Sequence, residues 1–83
     1  MYRIIISPRA KKQLKPIRKI YQQAINEALE EITYYPLAGK PLTRELTGKY
    51  SYKIGTYRII YKVSKRDQKI YVLSAGHRAT IYK

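Results

Sequence analysis

In the stretch YSYKIGTYRIIYKV, residues 50–63, Lys53 and Arg58 stand at equal distances from Gly55-Thr56. A two-residue loop with glycine at its first central position suits a type II′ turn, and it pairs Ile54 with Tyr57, Lys53 with Arg58 and Tyr52 with Ile59. The two cations then become direct cross-strand neighbours, with Cβ atoms about 4.5–5.5 Å apart, a relation that is destabilising for like charges. An anion placed between them removes that penalty. Because side chains alternate, Tyr52, Ile54, Tyr57, Ile59, Tyr61 and Val63 share a face that a helix can cover, and Ser51, Lys53, Arg58, Ile60 and Lys62 share the other. The segment AGHRATIYK, from residue 75 on, adds His77, Arg78 and Tyr82 directly after a last strand, where the chain can return over the same face. Cations together with a histidine and a tyrosine can grip a phosphate, stabilise the extra charge of a phosphorane and move protons.

Other chemistries fit the chain poorly. The five acids, Glu27, Glu30, Glu31, Glu45 and Asp67, are scattered and the chain has a single histidine, so neither a metal centre nor a cofactor is expected. Glu27 and Glu31 read instead as members of helix-surface ion pairs. Gly39, Gly48, Gly55 and Gly76 are isolated, which excludes a glycine-rich phosphate loop, and no nucleophile-elbow motif is present. RNA cleavage without a metal remains a good fit. RNA carries its own nucleophile, the 2′-hydroxyl, so the protein need only align it, neutralise the phosphate and supply an acid and a base. DNA has no such group.

The whole chain sets the frame for this chemistry. Its 83 residues allow one domain, residues 1–83, with one modest core, and 45% hydrophobic with 28% charged residues is a globular composition. There is no cysteine for a disulfide framework, and no apolar run approaches the roughly 20 residues of a membrane span. The opening MYRIIISPRAKK lacks a secretory pattern, so the expected compartment is the cytoplasm. Eighteen Lys and Arg against five Asp and Glu give a formal charge of +13, which calls for an acidic partner: nucleic acid, an anionic membrane or an acidic protein.

Positioning the candidate residues requires a sheet. Residues 2–7, YRIIIS, read as a strand ended by Pro8. Ser7-Pro8 then reads as an N-cap with proline at the first helical position, opening a short basic helix over 9–15 that Pro16 interrupts. From Ile17 the apolar positions Ile17, Ile20, Tyr21, Ala24, Ile25, Ala28, Leu29 and Ile32 form one stripe of a helix that should stop at residue 34 or 35, before Pro36. Residues 36–49 read as a connecting loop around a short turn. Strands over 50–54, 57–64 and 69–75 complete a β-α-α-β-β-β order, an α+β fold with an antiparallel sheet packed by the long helix.

The combination of G-x-Y-R-x-x-Y at residues 55–61 with G-H-R-x-x-x-Y at residues 76–82, in this element order, resembles the RelE branch of the RelE/ParE superfamily of bacterial and archaeal toxins. The resemblance spans nearly the whole chain. It implies a RelE-like microbial RNase-type fold and a ribosome-dependent endoribonuclease that cuts mRNA in the A site by 2′-hydroxyl attack. Carried over position by position, Lys53 and Arg58 match the hairpin cations, Arg78 the cation after the last strand and Tyr82 the terminal aromatic, while His77 stands where members carry histidine or lysine. Gly55 takes the place of a second hairpin lysine, a charge that Lys49 or Lys62 can replace. The general base is left open between Tyr82 and His77. Ribosomal RNA phosphates would meet the segment RAKKQLKPIRK, with Arg9, Lys11, Lys12, Lys15, Arg18 and Lys19. An acidic cognate antitoxin in a hetero-oligomer is implied as the protein partner.

Two other functions fit the same residues. The ParE branch shares the fold and targets DNA gyrase. A non-catalytic nucleic-acid-binding module needs only basic charge and the ten tyrosines for stacking.

Overall fold

The computed structural model describes residues 1–77. Strand β1, Arg3–Ile6, ends at Ser7, whose extended backbone and side chain cap helix α1, Pro8–Leu14. The Ser7 hydroxyl accepts from the Ala10 amide at 3.1 Å and donates to the Leu73 carbonyl at 3.0 Å, so the cap also fastens α1 to the sheet. Across Pro16, the Gln22 side-chain amide donates to the carbonyls of Leu14 and Ile17, at 3.0 and 2.7 Å, and satisfies the groups left open where α1 ends.

Helix α2, Lys19–Tyr34, stops before Pro36 as its sequence predicts and buries Ile25, Ala28, Leu29 and Ile32. The stripe differs at its start. Ile17 is buried, but it precedes the N-cap Arg18 and so lies outside the helical phase, whereas Ile20 is 72% exposed and Tyr21 39%. The first turn of α2 therefore projects beyond the buried part of the helix. Among the described residues, no helix is long and apolar enough to cross a membrane.

Among the described residues, five strands form one mixed sheet in the order β1-β5-β4-β3-β2. Strands β3 (Lys49–Ile54), β4 (Tyr57–Ser64) and β5 (Lys69–His77) are the expected antiparallel meander, and β1 joins β5 in parallel. The region expected to be a plain loop contains β2, Lys40–Pro41, on the edge of β3, and a 3₁₀ turn over Arg44–Leu46. Two residues cannot display a strand period, and proline is tolerated at a sheet edge, where its missing N–H costs no ladder bond. On β5, Ser74 opposes Ile60 but Val72 opposes Tyr61, so Leu73 is an extra, bulged residue.

The core lies between the helices and one face of the sheet, where Ile59, Tyr61, Ile70, Val72 and Ala75 meet Ala10 and the buried side of α2. Tyr61 is fully buried. Its hydroxyl donates to the Pro36 carbonyl at 2.8 Å and accepts from the Gly39 amide at 2.9 Å. A Cβ on Gly39 would stand 2.7 Å from that hydroxyl and 3.0 Å from the Ser51 carbonyl oxygen. Gly39→Ala should therefore destabilise the fold by about 1–3 kcal/mol, read from the midpoint of urea unfolding; an unchanged midpoint would show that the 36–39 loop yields freely.

Burial raises the Tyr61 pKa above its ordinary 10.0, against a smaller lowering by the bond from Gly39. With the folded value above the unfolded one, the contribution is fully present below about pH 10 and lost as pH rises through the folded value. The stability difference between wild type and Tyr61→Phe should consequently be constant from neutral pH to about 10 and shrink above it, as urea unfolding at stepped pH will report.

Candidate active site

The hairpin register is the one its turn residues predict. Lys53 pairs with Arg58 and Ile54 with Tyr57, and Gly55 has a φ of +59° while Thr56 is not in the left-handed region, as a type II′ turn requires. Lys53 and Arg58 lie on the sheet face opposite the helices. Beside them, the row Ser51, Ile60 and Ser74 is buried, and Arg58 Nη1 donates to Ser51 Oγ at 3.4 Å. One row further, Lys49 pairs with Lys62, a second like-charge pair on the same face, and Lys62 Nζ sits 5.6 Å from the centre of the Tyr71 ring. Two cation pairs thus flank a buried row.

On β5, Arg58 is opposed by Gly76, which places no side chain next to the guanidinium. Among the described residues, Lys53, Gly55, Thr56, Arg58 and His77 line a cleft of about 180 Å³ at this end of the hairpin. None of them is acidic. The cleft can hold an anion in contact with a forked guanidinium and an ammonium, a combination suited to a phosphate.

His77 reaches the cleft by a route the sequence does not reveal. It lies within β5 rather than after it, and it opposes Tyr57 on the helix-facing side, not the side of Lys53 and Arg58. The bulge at Leu73 causes this, because one inserted residue reverses the alternation for everything beyond it. The rings of Tyr57 and His77 meet edge to face, 6.2 Å between centroids at 80°. Of the five catalytic candidates, the structure brings Lys53, Arg58 and His77 together; Arg78 and Tyr82 lie outside the described residues.

Arg9, Lys11 and Lys12 on α1, Lys15 at its C-cap, and Arg18 and Lys19 at the start of α2 are all exposed. Lys11 and Lys15, with Leu14, Gln22, Ile25 and Asn26, line a groove of about 470 Å³ between the two helices. No acid precedes Glu27 in the chain, so this helical end is uniformly cationic. Glu31, expected in a helix-surface ion pair, instead accepts a hydrogen bond from the Tyr52 hydroxyl. That bond, more than burial or the carboxylate charge, raises the Tyr52 pKa. It also ties α2 to the base of the hairpin.

Three residues have supporting roles that their sequence context did not show. Ser51 bonds Arg58, Gly76 leaves space opposite it, and Gln13 Oε1 accepts from the Ala75 amide at 2.9 Å, holding the end of β5 to α1. Gly76 was visible only as the first residue of the G-H-R motif, because the last strand was expected to end at residue 75, one residue short of it.

Comparison with known proteins shows a family and a shared fold. Residues 4–82 match the family described as the ParE toxin of type II toxin-antitoxin systems. Toxin RelG of Mycobacterium tuberculosis is 36% identical over 66 residues, 78% of this chain and 76% of that protein. The crystal structure of the toxin-antitoxin complex RelBE2 from Mycobacterium tuberculosis contains a chain 32% identical, with a TM-score of 0.85 over 93% of this chain and 98% of that one. The archaeal RelE-RelB complex from Pyrococcus horikoshii contains a chain 27% identical, with a TM-score of 0.79 over 95% of this chain and 97% of that one.

Proposed function

Since the chain belongs to the ParE toxin family of type II toxin-antitoxin systems, we propose that its activity is that of a ribosome-dependent endoribonuclease, cutting mRNA in the A site. The observation that carries this reading is the Lys53/Arg58 pair on the open face of the sheet, with glycine opposite Arg58 and no acid in the cleft. Relatives that bear the RelE and RelG names support it at 27–36% identity.

In this reading the scissile phosphate lies between Lys53 and Arg58. The 2′-oxygen attacks phosphorus and gives its proton to a base. The bond from phosphorus to the 5′-oxygen breaks, the 5′-oxygen takes a proton from an acid, and a 2′,3′-cyclic phosphate remains. Arg58 and Lys53, with Arg78, hold the charge that accumulates on the phosphoryl oxygens. His77 and Tyr82 are the two groups assigned to proton transfer. Lys49 and Lys62 extend the cationic track along the RNA, and the α1 and α2 cations, Arg9 to Lys19, meet ribosomal RNA phosphates. A cognate antitoxin with acidic and apolar segments covers the open face in a toxin-antitoxin hetero-oligomer; the two solved relatives compared above come from toxin-antitoxin complexes.

The family description favours one competing reading, ParE-like inhibition of DNA gyrase. The discriminating experiment uses an mRNA with a single 2′-deoxy nucleotide on the 5′ side of the cut. An endoribonuclease of this mechanism leaves that bond intact and cuts the all-ribose message. Equal cutting of both messages would contradict 2′-hydroxyl attack, and arrest of gyrase supercoiling with intact mRNA would move the assignment to the ParE branch.

A further inference from the structure

We propose that Tyr57 and His77 form a base-stacking platform, on which an unpaired base of single-stranded RNA lies while the adjoining phosphate occupies the Lys53/Arg58 pair. This rests on the endoribonuclease reading and deepens it, since it gives the rings of Tyr57 and His77, the latter beside its part in proton transfer, the task of holding the nucleobase.

The two rings are cross-strand partners at the end of the hairpin, 6.2 Å apart and nearly perpendicular. Tyr21, from the projecting first turn of α2, packs against Tyr57 at 5.0 Å with the planes at 50°. Three elements thus supply a row of three rings, with Tyr57 partly buried in the middle and His77 exposed at the cleft. A ring braced by other rings has little rotamer freedom left to lose when a base lands on it.

The placement relative to the cations is what selects a nucleotide. Lys53 and Arg58 approach the cleft from the open face of the sheet and His77 from the helix-facing side, the result of the bulge at Leu73. A nucleotide presents just these two chemistries on one molecule, an anion and a flat π-surface. Every base has a π-face, so stacking of this kind tolerates any sequence and fixes the position of the strand. Packing alone accounts for Tyr57 against Tyr21. His77 extends this row, exposed, into the cationic cleft.

The test uses the full chain and a short single-stranded RNA carrying one 2-aminopurine, titrated at low salt and followed by fluorescence. Stacking quenches the probe in the wild-type complex. His77→Leu, an exposed change that leaves the core intact, should abolish the quench and weaken binding about five- to a hundredfold. His77→Phe should retain both. The salt dependence should be unaltered in His77→Leu and shallower in Arg58→Ala, which removes a phosphate contact. Equal quenching in wild type and His77→Leu, no quench at saturation, or a salt dependence flattened by His77→Leu as much as by Arg58→Ala would overturn the platform. A quench that follows the ring, with mRNA intact on ribosomes, would sustain the platform and reject only the endoribonuclease reading.

Discussion

Arg58→Ala is expected to lower mRNA cleavage about 10²–10³-fold while leaving the fold as stable as before or slightly more so. The two effects have opposite signs for one reason. Arg58 faces Lys53 directly across the hairpin, so in the absence of an anion the pair repels. Removing one cation relieves a repulsion of a few tenths of a kcal/mol to about 1 kcal/mol. In the proposed reaction the same change strips the transition state of a forked donor aimed at the developing phosphoryl charge. Arg58→Lys keeps the charge and loses the fork, so it should fall between wild type and alanine. Single-turnover cleavage rates and thermal unfolding of the three proteins check both signs. A variant that loses stability and activity in parallel would make Arg58 a structural residue, with its bond to Ser51 as the cause.

Tyr61→Ala should be the most damaging single change to the fold, at about 3–5 kcal/mol. A domain of this size has only about 5–15 kcal/mol in total, so much of the population would be unfolded at 37 °C. The ring is fully buried and stacks on Tyr50 at 5.6 Å, and its hydroxyl is the anchor of the chain between α2 and β2. Tyr61→Phe separates the two contributions. It keeps the ring but leaves the Gly39 amide and the Pro36 carbonyl without their partner, at a cost of about 1–3 kcal/mol. Urea unfolding should rank the proteins wild type, Tyr61→Phe, Tyr61→Ala. Equal midpoints for wild type and Tyr61→Phe would mean that the loop finds other partners.

The hairpin was legible because its determinants are local. Gly55-Thr56 selects the turn, the turn selects the register, and the register places Lys53 beside Arg58 and Tyr61 in the core. The α2 stripe was legible from Ile25 onward, where burial against the sheet enforces the helical period. Strand β2 was not, since a two-residue edge containing proline leaves no pattern. Nor was the bulge in β5. It coincides with contacts to Ser7 and Gln13, from 66 and 62 residues earlier in the chain, and nothing in the local sequence of Leu73 announces them. His77 illustrates the consequence for the site: the residue was identified, but its face depends on that bulge. The family likeness of the two tyrosine- and arginine-containing motifs was visible in the sequence, and the match of residues 4–82 bears it out.

In the proposed function the Lys53/Arg58 face cuts ribosome-bound mRNA. Primer extension on a defined message in a purified translation reaction, with and without ribosomes, tests it most directly. New 5′ ends inside A-site codons, requiring ribosomes and disappearing with Arg58→Ala, are the expected result. Intact message at saturating wild-type protein would contradict it.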